Sequence, residues 1–489
     1  MEHGLGIVET KYVDLPGPLK LEGGGTLFPL RIAYETYGRL NREKSNAILI
    51  CHALSGDAHA AGYHNGESKP GWWDIAIGPG KGFDTNKYFI ICSNVIGGCR
   101  GSTGPSSLDP ATGGPYGTTF PVITIRDMVN AQKMLLEHLG ITTLLAVAGG
   151  SMGGMQVLQW AISYPEALKR AVVMASTACS TPQQIAFNAV GRRAITSDPA
   201  WNGGNYYGGE PPSRGLALAR MVGHITYLSD DSMLSKFGRQ LKDKDRVGFD
   251  FTTDFQVESY LYHQGDNFIK RFDPNTYLYV TKAIDYFDLT VDRSLITGLS
   301  GVKAKVLVVG ISSDWLYPVY QSQEIVSALS ANNVKVLYSE IRSSYGHDAF
   351  LIEGGQVNYI LKSFFNHISS GDVMVSPVRT ISEDTTIEVA AELMIHLEVN
   401  HLPVVSADGK INGMVTSWDI AKAVARRLTD LREIITSPAI TTTADEPIED
   451  AISKMERHRI SALPVIDAQE NVIGLVTHEA MGGLMGRCK

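Results

Sequence analysis

Short apolar segments alternate with helical patterns from residue 46 to residue 341, and this alternation limits the possible folds more than any other feature. The apolar segments read NAILICHAL, YFIICSNVIGG, LLAVAGGS, AVVMAS, KVLVVG and VKVLYSEI. Such alternation predicts a mostly parallel sheet, and strands that are apolar on both sides need helices on both faces. The strand pattern fades between about residues 179 and 300, where we expect an inserted helical lid. The predicted fold class is α/β.

The last third of the chain contains an internal repeat. The tripeptide LPV at 402–404 recurs at 463–465, and Gly413 recurs as Gly474, each 61 positions later. Each copy reads as a helix, a strand, a turn, a second strand and a helix, so we expect two half-units that form one α+β module. A loop-like composition places the domain boundary near Gly371. The expected domains are residues 1–370, with the lid at about 179–300, then 371–430 and 431–489.

Composition and charge exclude several classes of function. The 489 residues carry a net charge of -8 without a long basic run, so nucleic acid is not an expected partner. No apolar run approaches the roughly 18 residues of a membrane span, and Glu2 and Glu9 do not fit a signal peptide. Five cysteines without C-x-x-C spacing favour a reducing cytoplasm. His52, His59 and His64 are close in sequence but form no H-E-x-x-H motif, and we expect no metal site.

A glycine-rich turn lies where an apolar strand meets a helical pattern. The segment GGSMG at 149–153 matches the G-x-S-x-G nucleophile elbow, in which small residues allow a strained strand-to-helix turn. Such a turn raises the hydroxyl of Ser151 above the sheet, and N–H groups at the helix start face developing negative charge. A turn of this composition also occurs as simple packing or as a phosphate cradle, so a catalytic serine needs partners.

Two later loops supply candidate partners for Ser151. Asp314 follows the strand KVLVVG, and His347 follows the strand VKVLYSEI. The chain order Ser, Asp, His is that of the α/β hydrolases, with each member after a different strand. Taken singly, Asp314 could be a turn cap and His347 an ordinary buried or surface histidine. Their joint appearance in this order predicts a catalytic triad.

The triad predicts covalent acyl transfer. Ser151 would attack an ester or thioester carbonyl while His347 takes its proton and Asp314 holds the imidazole in the required tautomer. The oxyanion that forms needs two N–H donors. We expect these from Met152, the residue after the nucleophile, and from Leu54 in the loop CHALSGD, although this loop could also be ordinary strand-end packing.

Residues 1 to 370 resemble the homoserine O-acetyltransferases, enzymes of methionine biosynthesis with an α/β-hydrolase fold. The resemblance lies in HALSGDAHAAG, WWDIAIGPGKGFDTNKYFIICSNVIGGCRGSTGPSS, FPVITIRDMVNAQ, AGGSMGGMQVLQWA, LARMVGHITYLS and SYGHDAFL. It implies transfer of an acetyl group from acetyl-CoA through an acyl-serine to the hydroxyl of L-homoserine, by a ping-pong route. It also implies no tightly bound cofactor, with acetyl-CoA as co-substrate, and self-association as a homodimer.

An amino-acid acceptor carries a carboxylate and an ammonium group, so side chains of both signs should face the nucleophile. The resemblance assigns Arg220 to the carboxylate and Asp348 to the ammonium, with Tyr227 as a further substrate-binding candidate. Without the resemblance, Arg220 would be a solvated charge on a helix and Asp348 a loop cap. Asn94 and Arg100 are candidates for holding the acceptor or the pantetheine arm of the donor.

The C-terminal repeat resembles a tandem pair of CBS domains, which bind adenine nucleotides or S-adenosylmethionine and regulate an attached enzyme. Ordinary members of the acetyltransferase family end near residue 370, so the pair is a departure. The ribose-binding pattern G-h-x-T-x-x-D is complete in the first copy, at Gly413, Thr416 and Asp419, whereas the second copy has Ala480 in place of the acid. One nucleotide site is therefore expected at Thr416 and Asp419, unless these residues form only a helix capping box.

Three alternatives stay open on the sequence alone. Water could resolve the acyl-serine, which would make the chain a hydrolase of esters or thioesters. The transferred group could be succinyl rather than acetyl. The repeat could also be the main functional part, with the first domain as an inactive scaffold of a ligand sensor.

Overall fold

The computed structural model describes residues 4–365 and 369–480, and the chain divides into two compact units, Met1–Leu361 and Lys362–Lys489. The described strands of the first unit are β1 (Lys11–Leu15), β2 (Leu19–Lys20), β3 (Thr26–Leu27), β4 (Leu30–Tyr37), β5 (Ala47–Cys51), β6 (Ile77–Gly78), β7 (Phe83–Asp84), β8 (Phe89–Ser93), β9 (Leu144–Gly150), β10 (Leu168–Met174), β11 (Lys305–Ile311) and β12 (Val336–Ile341). The described α-helices that begin in it are α1 (Ile125–His138), α2 (Met152–Ser163), α3 (Pro182–Ser197), α4 (Ser213–Tyr227), α5 (Asp230–Phe237), α6 (Gln256–Phe268), α7 (Pro274–Asp285), α8 (Leu295–Gly298), α9 (Val319–Ala331), α10 (Ala349–Ile352) and α11 (Gly354–Phe365).

Eight of these strands form one sheet in the order β1-β4-β8-β5-β9-β10-β11-β12. The strand β4 runs antiparallel to both of its neighbours, and all pairs from β8 to β12 are parallel. The central strand β5 is buried at every position, as expected for a sheet covered by helices on both faces. The prediction of a mostly parallel α/β sheet is confirmed.

The sheet places three loops at one edge. Ser151 directly follows β9, Asp314 follows β11, and His347 follows β12. Because these strands are parallel and close together in the sheet, their carboxyl ends meet at the same edge. The topology therefore brings together loops that are almost 200 residues apart in the chain.

Six helices, α3 to α8, occupy the stretch between β10 and β11. The helix α3 starts at Pro182, where Thr181 and Gln184 form a reciprocal capping box, and it packs against α4 and α7. The helices α4 and α6 also pack together, and a small apolar core lies among them that includes Ile195, Leu216 and Phe268. This stretch is helical and supplies side chains to the site described below.

The second unit contains two similar halves. Its described elements are α12 (Ser370–Val373), β13 (Ile381–Ser382), α13 (Ile387–Leu397), β14 (His401–Val405), β15 (Ile411–Thr416), α14 (Ser417–Arg426), β16 (Thr442–Thr443), α15 (Ile448–His458), β17 (Ala462–Ile466) and β18 (Val472–Thr477). The strands form two three-stranded sheets, β13-β14-β15 and β16-β17-β18, each with its own apolar core. Both β14 and β15 recur 61 residues later as β17 and β18, so the repeat is a structural duplication as predicted.

The segment around Gly371 differs from the expected boundary loop. It forms the short helix α12, and the N–H groups of Ser370 and Gly371 donate to the carbonyl oxygens of Glu446 and Ala444, both at 2.8 Å. Val373 belongs to the apolar core of the second half. The small polar residues that suggested a loop therefore form a close backbone contact inside the second unit.

Within the described ranges, no helix combines the length and the apolar character needed to cross a membrane.

Candidate active site

The turn that carries Ser151 is strained and closely packed. Ser151 has φ 57° and ψ -125°, a conformation that costs a residue with a side chain about 1 to 3 kcal/mol unless its surroundings hold it. Its N–H donates to the carbonyl oxygen of Met174 at 3.0 Å. A Cβ atom on Gly149 would lie 2.7 Å from the carbonyl oxygen of Cys51, and one on Gly153 would overlap the same oxygen. The two glycines are therefore needed for the turn to lie against β5.

Asp314 and His347 form a buried pair. The distance between Asp314 Oδ2 and His347 Nδ1 is 2.7 Å, and the two residues are 5% and 3% exposed. The other carboxylate oxygen accepts the N–H groups of Leu316 and Tyr317, both at 2.9 Å. Asp314 is therefore both the turn cap and the partner of the histidine, two roles that the sequence offered as alternatives. Burial opposes protonation of His347, but the charge and hydrogen bond of Asp314 outweigh it and raise the pKa of the imidazole.

Ser151 and His347 line one cavity of about 370 Å³. The ring of Tyr317, which the sequence did not single out, lies 5.1 Å from the ring of His347. Burial and the charge of Asp314 raise the pKa of Tyr317, whereas a hydrogen bond with the Ser151 side chain acts in the opposite direction. The phenol therefore stays protonated at neutral pH. Its position three residues after Asp314 is the only signal in the sequence that could have indicated it.

The two expected oxyanion donors are both near the nucleophile: Met152 directly follows Ser151, and Leu54 lines the same cavity. Met152 is the first residue of α2, where an N–H group has no acceptor within the helix. Leu54 follows β5 and lines the cavity together with Ser151, and its N–H has no backbone acceptor among the described residues. Both groups are therefore free to donate to a charge that develops beside Ser151.

Three of the predicted substrate-binding residues lie on the same cavity, which Arg220, Tyr227 and Asp348 all line. The guanidinium of Arg220 lies 5.6 Å from the ring centre of Tyr227 and 4.6 Å from that of Phe268. Its Nε is buried without a hydrogen-bond partner, and it forms no ion pair with a described residue. Burial raises the pKa of Asp348, and the nearby charges of His347 and Arg220 act against this rise. Arg220 and Asp348 therefore place a cation and an anion in the same cavity wall, and they form no ion pair with each other.

Other cavity residues were missed by the sequence reasoning or differ from it. Arg271 and Ser55 line the cavity, and Arg271 Nη1 donates to the carbonyl oxygen of Ser55 at 3.0 Å. Arg100 also lines it, as expected for a candidate. Asn94, the other candidate in that stretch, is 2% exposed and does not belong to the cavity wall. Arg271 and Ser55 meet where the segment after α6 contacts the loop after β5, a contact that no local pattern signals.

A buried network surrounds Glu35 in β4. Its carboxylate accepts hydrogen bonds from the hydroxyls of Thr10 and Tyr37, both at 2.8 Å, and lies 3.0 Å from His59 Nδ1 and 2.8 Å from His64 Nε2. The candidate ligand atoms of Glu35, His59 and His64 are within 4.8 Å of one another, a spacing that a metal ion could accept. Four donors already satisfy the carboxylate without an ion, although His59 Nε2 is buried without a hydrogen-bond partner. The absence of a metal site stays a prediction.

The second unit has a cavity of about 460 Å³ lined by both halves, including Thr416 and Trp418 from the first and Arg459 and His478 from the second. Thr416 and Asp419 form a reciprocal capping box at the start of α14, with 2.6 Å between the hydroxyl and a carboxylate oxygen. Thr416 lies in the cavity wall, whereas Asp419 does not. The capping box that the sequence offered as an alternative is therefore present in the structure. It includes Asp419, the acid expected to bind ribose.

Family comparisons agree with both units. The α/β hydrolase fold family matches residues 46–353, and the CBS domain family matches residues 371–426 and 431–481. A homoserine O-acetyltransferase from Methanosphaerula palustris is 64% identical over 488 residues, covering 100% of both chains.

Two solved structures resemble the first unit. A homoserine O-acetyltransferase from Bacillus anthracis is 32% identical, with a TM-score of 0.70 over 74% of this chain and 98% of its own. The esterase E22 is also 32% identical, with a TM-score of 0.68 over 74% of this chain and 100% of its own. The fold is thus shared by transferases and esterases, whereas the full-length identity is with transferases. The chain is an acyltransferase that belongs to the homoserine O-acetyltransferase family and carries a C-terminal CBS domain pair.

Proposed function

We propose that the chain transfers an acetyl group from acetyl-CoA to the hydroxyl of L-homoserine through an acyl-enzyme on Ser151. The observation that carries this proposal is a single cavity that contains the serine, the imidazole of His347, and two unpaired charges, Arg220 and Asp348. A simple esterase needs only the first two groups. A zwitterionic acceptor uses all four.

In the first half-reaction, Ser151 Oγ attacks the thioester carbonyl and His347 takes the serine proton. Nε2 performs this step because Nδ1 is engaged by Asp314 at 2.7 Å. The N–H groups of Leu54 and Met152 stabilise the oxyanion, and the thiol of CoA leaves with the proton from His347. The product is an acetyl ester of Ser151.

In the second half-reaction, the hydroxyl of homoserine attacks the carbonyl of the acetyl-serine, and Ser151 is the leaving group. His347 removes the hydroxyl proton, the oxygen attacks the acetyl-serine, and Ser151 recovers its proton as O-acetylhomoserine leaves. Arg220 binds the carboxylate of the acceptor and Asp348 binds its ammonium, so the hydroxyl points toward the ester. Tyr227, which packs against the guanidinium of Arg220, limits where that charge can move.

A small cavity of about 50 Å³ that also reaches Ser151 supports the transfer of a small, uncharged acyl group. Its described lining contains aromatic, aliphatic and amide side chains, among them Phe187, Tyr277 and Gln184, and no lysine, arginine or histidine. A succinyl group would place a carboxylate there without a cation to pair with it, at a high desolvation cost. An acetyl group carries no such charge, which favours acetyl-CoA as the donor.

The direct test is incubation of the chain with acetyl-CoA and L-homoserine, followed by mass spectrometry of the products. We expect O-acetylhomoserine in amounts equal to the CoA released, and an acetyl adduct on Ser151 when homoserine is left out. Free acetate as the main product would instead make the chain a hydrolase. A succinyl adduct that forms as fast as the acetyl adduct from the matching thioesters would overturn the choice of donor.

For the rest of the chain we propose a regulatory CBS pair at residues 371–430 and 431–489, attached to an acyltransferase domain at 1–370. An adenine nucleotide or S-adenosylmethionine would bind the cavity at Thr416, with Asp419 reaching the ribose after leaving its capping partner. We also propose a homodimer in the cytoplasm. The four described cysteines are free thiols, which supports a reducing compartment; Cys488 lies outside the described residues. Titration calorimetry with each ligand, combined with rates of acetyl transfer, tests the regulatory part.

A further inference from the structure

A further cavity of about 380 Å³, which we call the outer groove, adjoins the catalytic cavity, and the two share Arg100 and Arg271 in their walls. The wall of the outer groove also includes Tyr206, Tyr207, Lys270 and Asp273. Arg100 and Arg271 are both exposed residues, so the groove opens to solvent where it meets the catalytic cavity. A molecule whose reactive end lies at Ser151 could therefore extend between the two arginines into the groove.

The groove has an excess of positive charge. Neither Lys270 nor Arg271 forms an ion pair within residues 4–365 and 369–480, and Arg100 has only a 3.7 Å contact with Asp57. Although Arg271 reaches solvent, loss of water around part of its guanidinium and the neighbouring charge of Arg220 lower its pKa, whereas Asp57 acts in the opposite direction. A bound anion would offset the repulsion between the two arginines.

The acid in the groove, Asp273, forms no ion pair with these cations among the described residues, and its oxygens accept hydrogen bonds from other groups. Asp273 accepts hydrogen bonds from the hydroxyls of Tyr206 at 2.6 Å and Tyr207 at 3.1 Å. It also accepts the N–H of Thr276 at 2.7 Å as the N-cap of α7. The carboxylate of Asp273 therefore caps the N-terminus of α7.

Arg271 is held in place while most of its donors stay open. One N–H donates to the carbonyl oxygen of Ser55 at 3.0 Å, and the guanidinium lies 5.3 Å from the ring centre of Phe268. A guanidinium has five N–H donors, so several remain for an anion. Lys270 Nζ donates to Asn267 Oδ1 at 3.2 Å, which likewise leaves ammonium protons free.

We propose that the outer groove binds the phosphate-bearing nucleotide end of the acyl-CoA donor, with Arg271 as the main phosphate ligand and Lys270 and Arg100 as supporting charges. This inference rests on the proposed function, in which the single carboxylate of homoserine is matched by Arg220. The remaining cations then have no counterpart in the acceptor. Phosphate groups supply that counterpart, since guanidinium and phosphate form strong charge-assisted hydrogen bonds.

The test compares two donors that carry the same thioester: acetyl-CoA, and S-acetyl-pantetheine, which has no phosphates. The measured quantity is the ratio of kcat/KM for acetyl-CoA to kcat/KM for S-acetyl-pantetheine. We expect Arg271→Gln to lower this ratio about 10- to 100-fold, the range for loss of a hydrogen bond to a charged group. Lys270→Gln, an exposed and milder change, should lower it about 2- to 5-fold. Lys20→Gln, an exposed lysine on neither cavity, should leave it unchanged.

Three results would be decisive against the groove. An equal loss for both donors in Arg271→Gln would show that the arginine only supports the loop at Ser55. A rise in KM for homoserine, without a change in the donor ratio, would make Arg271 an acceptor ligand. An unchanged ratio in all groove variants would remove the phosphate site altogether.

The acylation half-reaction keeps this test separate from the proposed function. Release of the donor thiol can be measured without homoserine, so the donor ratio is obtained even if the acceptor is wrong. Failure to form O-acetylhomoserine would then refute the proposed function alone, and a flat donor ratio would refute the groove alone.

Discussion

The candidate ligand-binding residues of the two units differ in whether they have partners within the chain. In the first unit, Arg220 and Asp348 line a cavity and have no ion-pair partner among the described residues. In the second unit, Thr416 and Asp419 bind each other, and Lys422 Nζ lies 3.1 Å from the same carboxylate. A buried polar group without a partner costs stability, so such a group in a cavity wall favours a ligand-binding role for that cavity. A polar group already paired within its own helix needs no ligand to explain it.

The largest expected effect is loss of the nucleophile. Ser151→Ala should reduce acetyl transfer about 10⁴-fold or more, because Ser151 carries the acyl group in the proposed mechanism. Thermal unfolding and ligand binding of the second unit should not change. Ser327→Ala, an exposed serine on α9, is the matched control. Near-normal acetyl transfer by Ser151→Ala would show that Ser151 is not the nucleophile.

The next effect concerns pH and Asp314. His347 must be neutral to take the serine proton, and its pKa is raised above the ordinary value of 6.5. We therefore expect kcat/KM for the donor to fall as pH decreases through a midpoint above 6.5. Asp314→Asn should lower the rate about 10³- to 10⁴-fold and move the midpoint to lower pH. A midpoint below 6.5 in the unaltered chain would contradict the electrostatic role of Asp314.

A smaller effect tests the unpaired cation. Arg220→Gln should lower kcat/KM for homoserine about 10- to 100-fold and leave the acylation half-reaction with acetyl-CoA unchanged. For 3-aminopropan-1-ol, which lacks the carboxylate, the same substitution should have little further effect. Steady-state kinetics with both acceptors measure this. An equal loss for the two acceptors would mean that Arg220 does not bind the carboxylate.

The smallest effect belongs to the paired group. Asp419→Ala removes a capping box and should lower the free energy of unfolding of the second unit by about 0.5 to 2 kcal/mol. Because we assign the same acid to the ribose, it should also weaken binding of S-adenosylmethionine or an adenine nucleotide, measured by calorimetry. Asp450→Ala, an exposed acid on α15, is the control. Unchanged affinity together with lower stability would leave Asp419 as a cap alone.

Much of the fold could be predicted because buried parallel strands have a strong local signature. The strand β5 is apolar at every position since both of its faces are covered, and the exact 61-residue spacing of the repeat fixes the register of its two copies. The segment at Gly371 forms a short helix instead of the expected loop, because small polar residues suit a loop and a close backbone contact equally well. The two-residue strands β13 and β16 are too short to show any periodicity.

The candidate site divides in the same way. Ser151, Asp314 and His347 each follow a strand, so their positions can be inferred from local pattern and topology. Arg271 and Ser55 are 216 residues apart, and only the tertiary contact between the segment after α6 and the loop after β5 brings them together. Tyr317 was overlooked because an aromatic residue near a strand end is more often part of the core. Residues whose role depends on a distant helix could not be found without the structure.

The network at Glu35 has a consequence for tolerance to acid. Burial alone would raise the pKa of this carboxyl, but hydrogen bonds with His59, His64, Thr10 and Tyr37 outweigh it and lower the pKa to about 2. Its contribution to stability is therefore present above the ordinary value of 4.5 and is lost only as pH falls toward about 2. The carboxylate joins β4 to the segment before β1 and to the loop after β5. These hydrogen bonds should thus persist in acid strong enough to protonate most surface carboxylates. We therefore expect acid unfolding to begin elsewhere than at the N-terminal edge of the sheet.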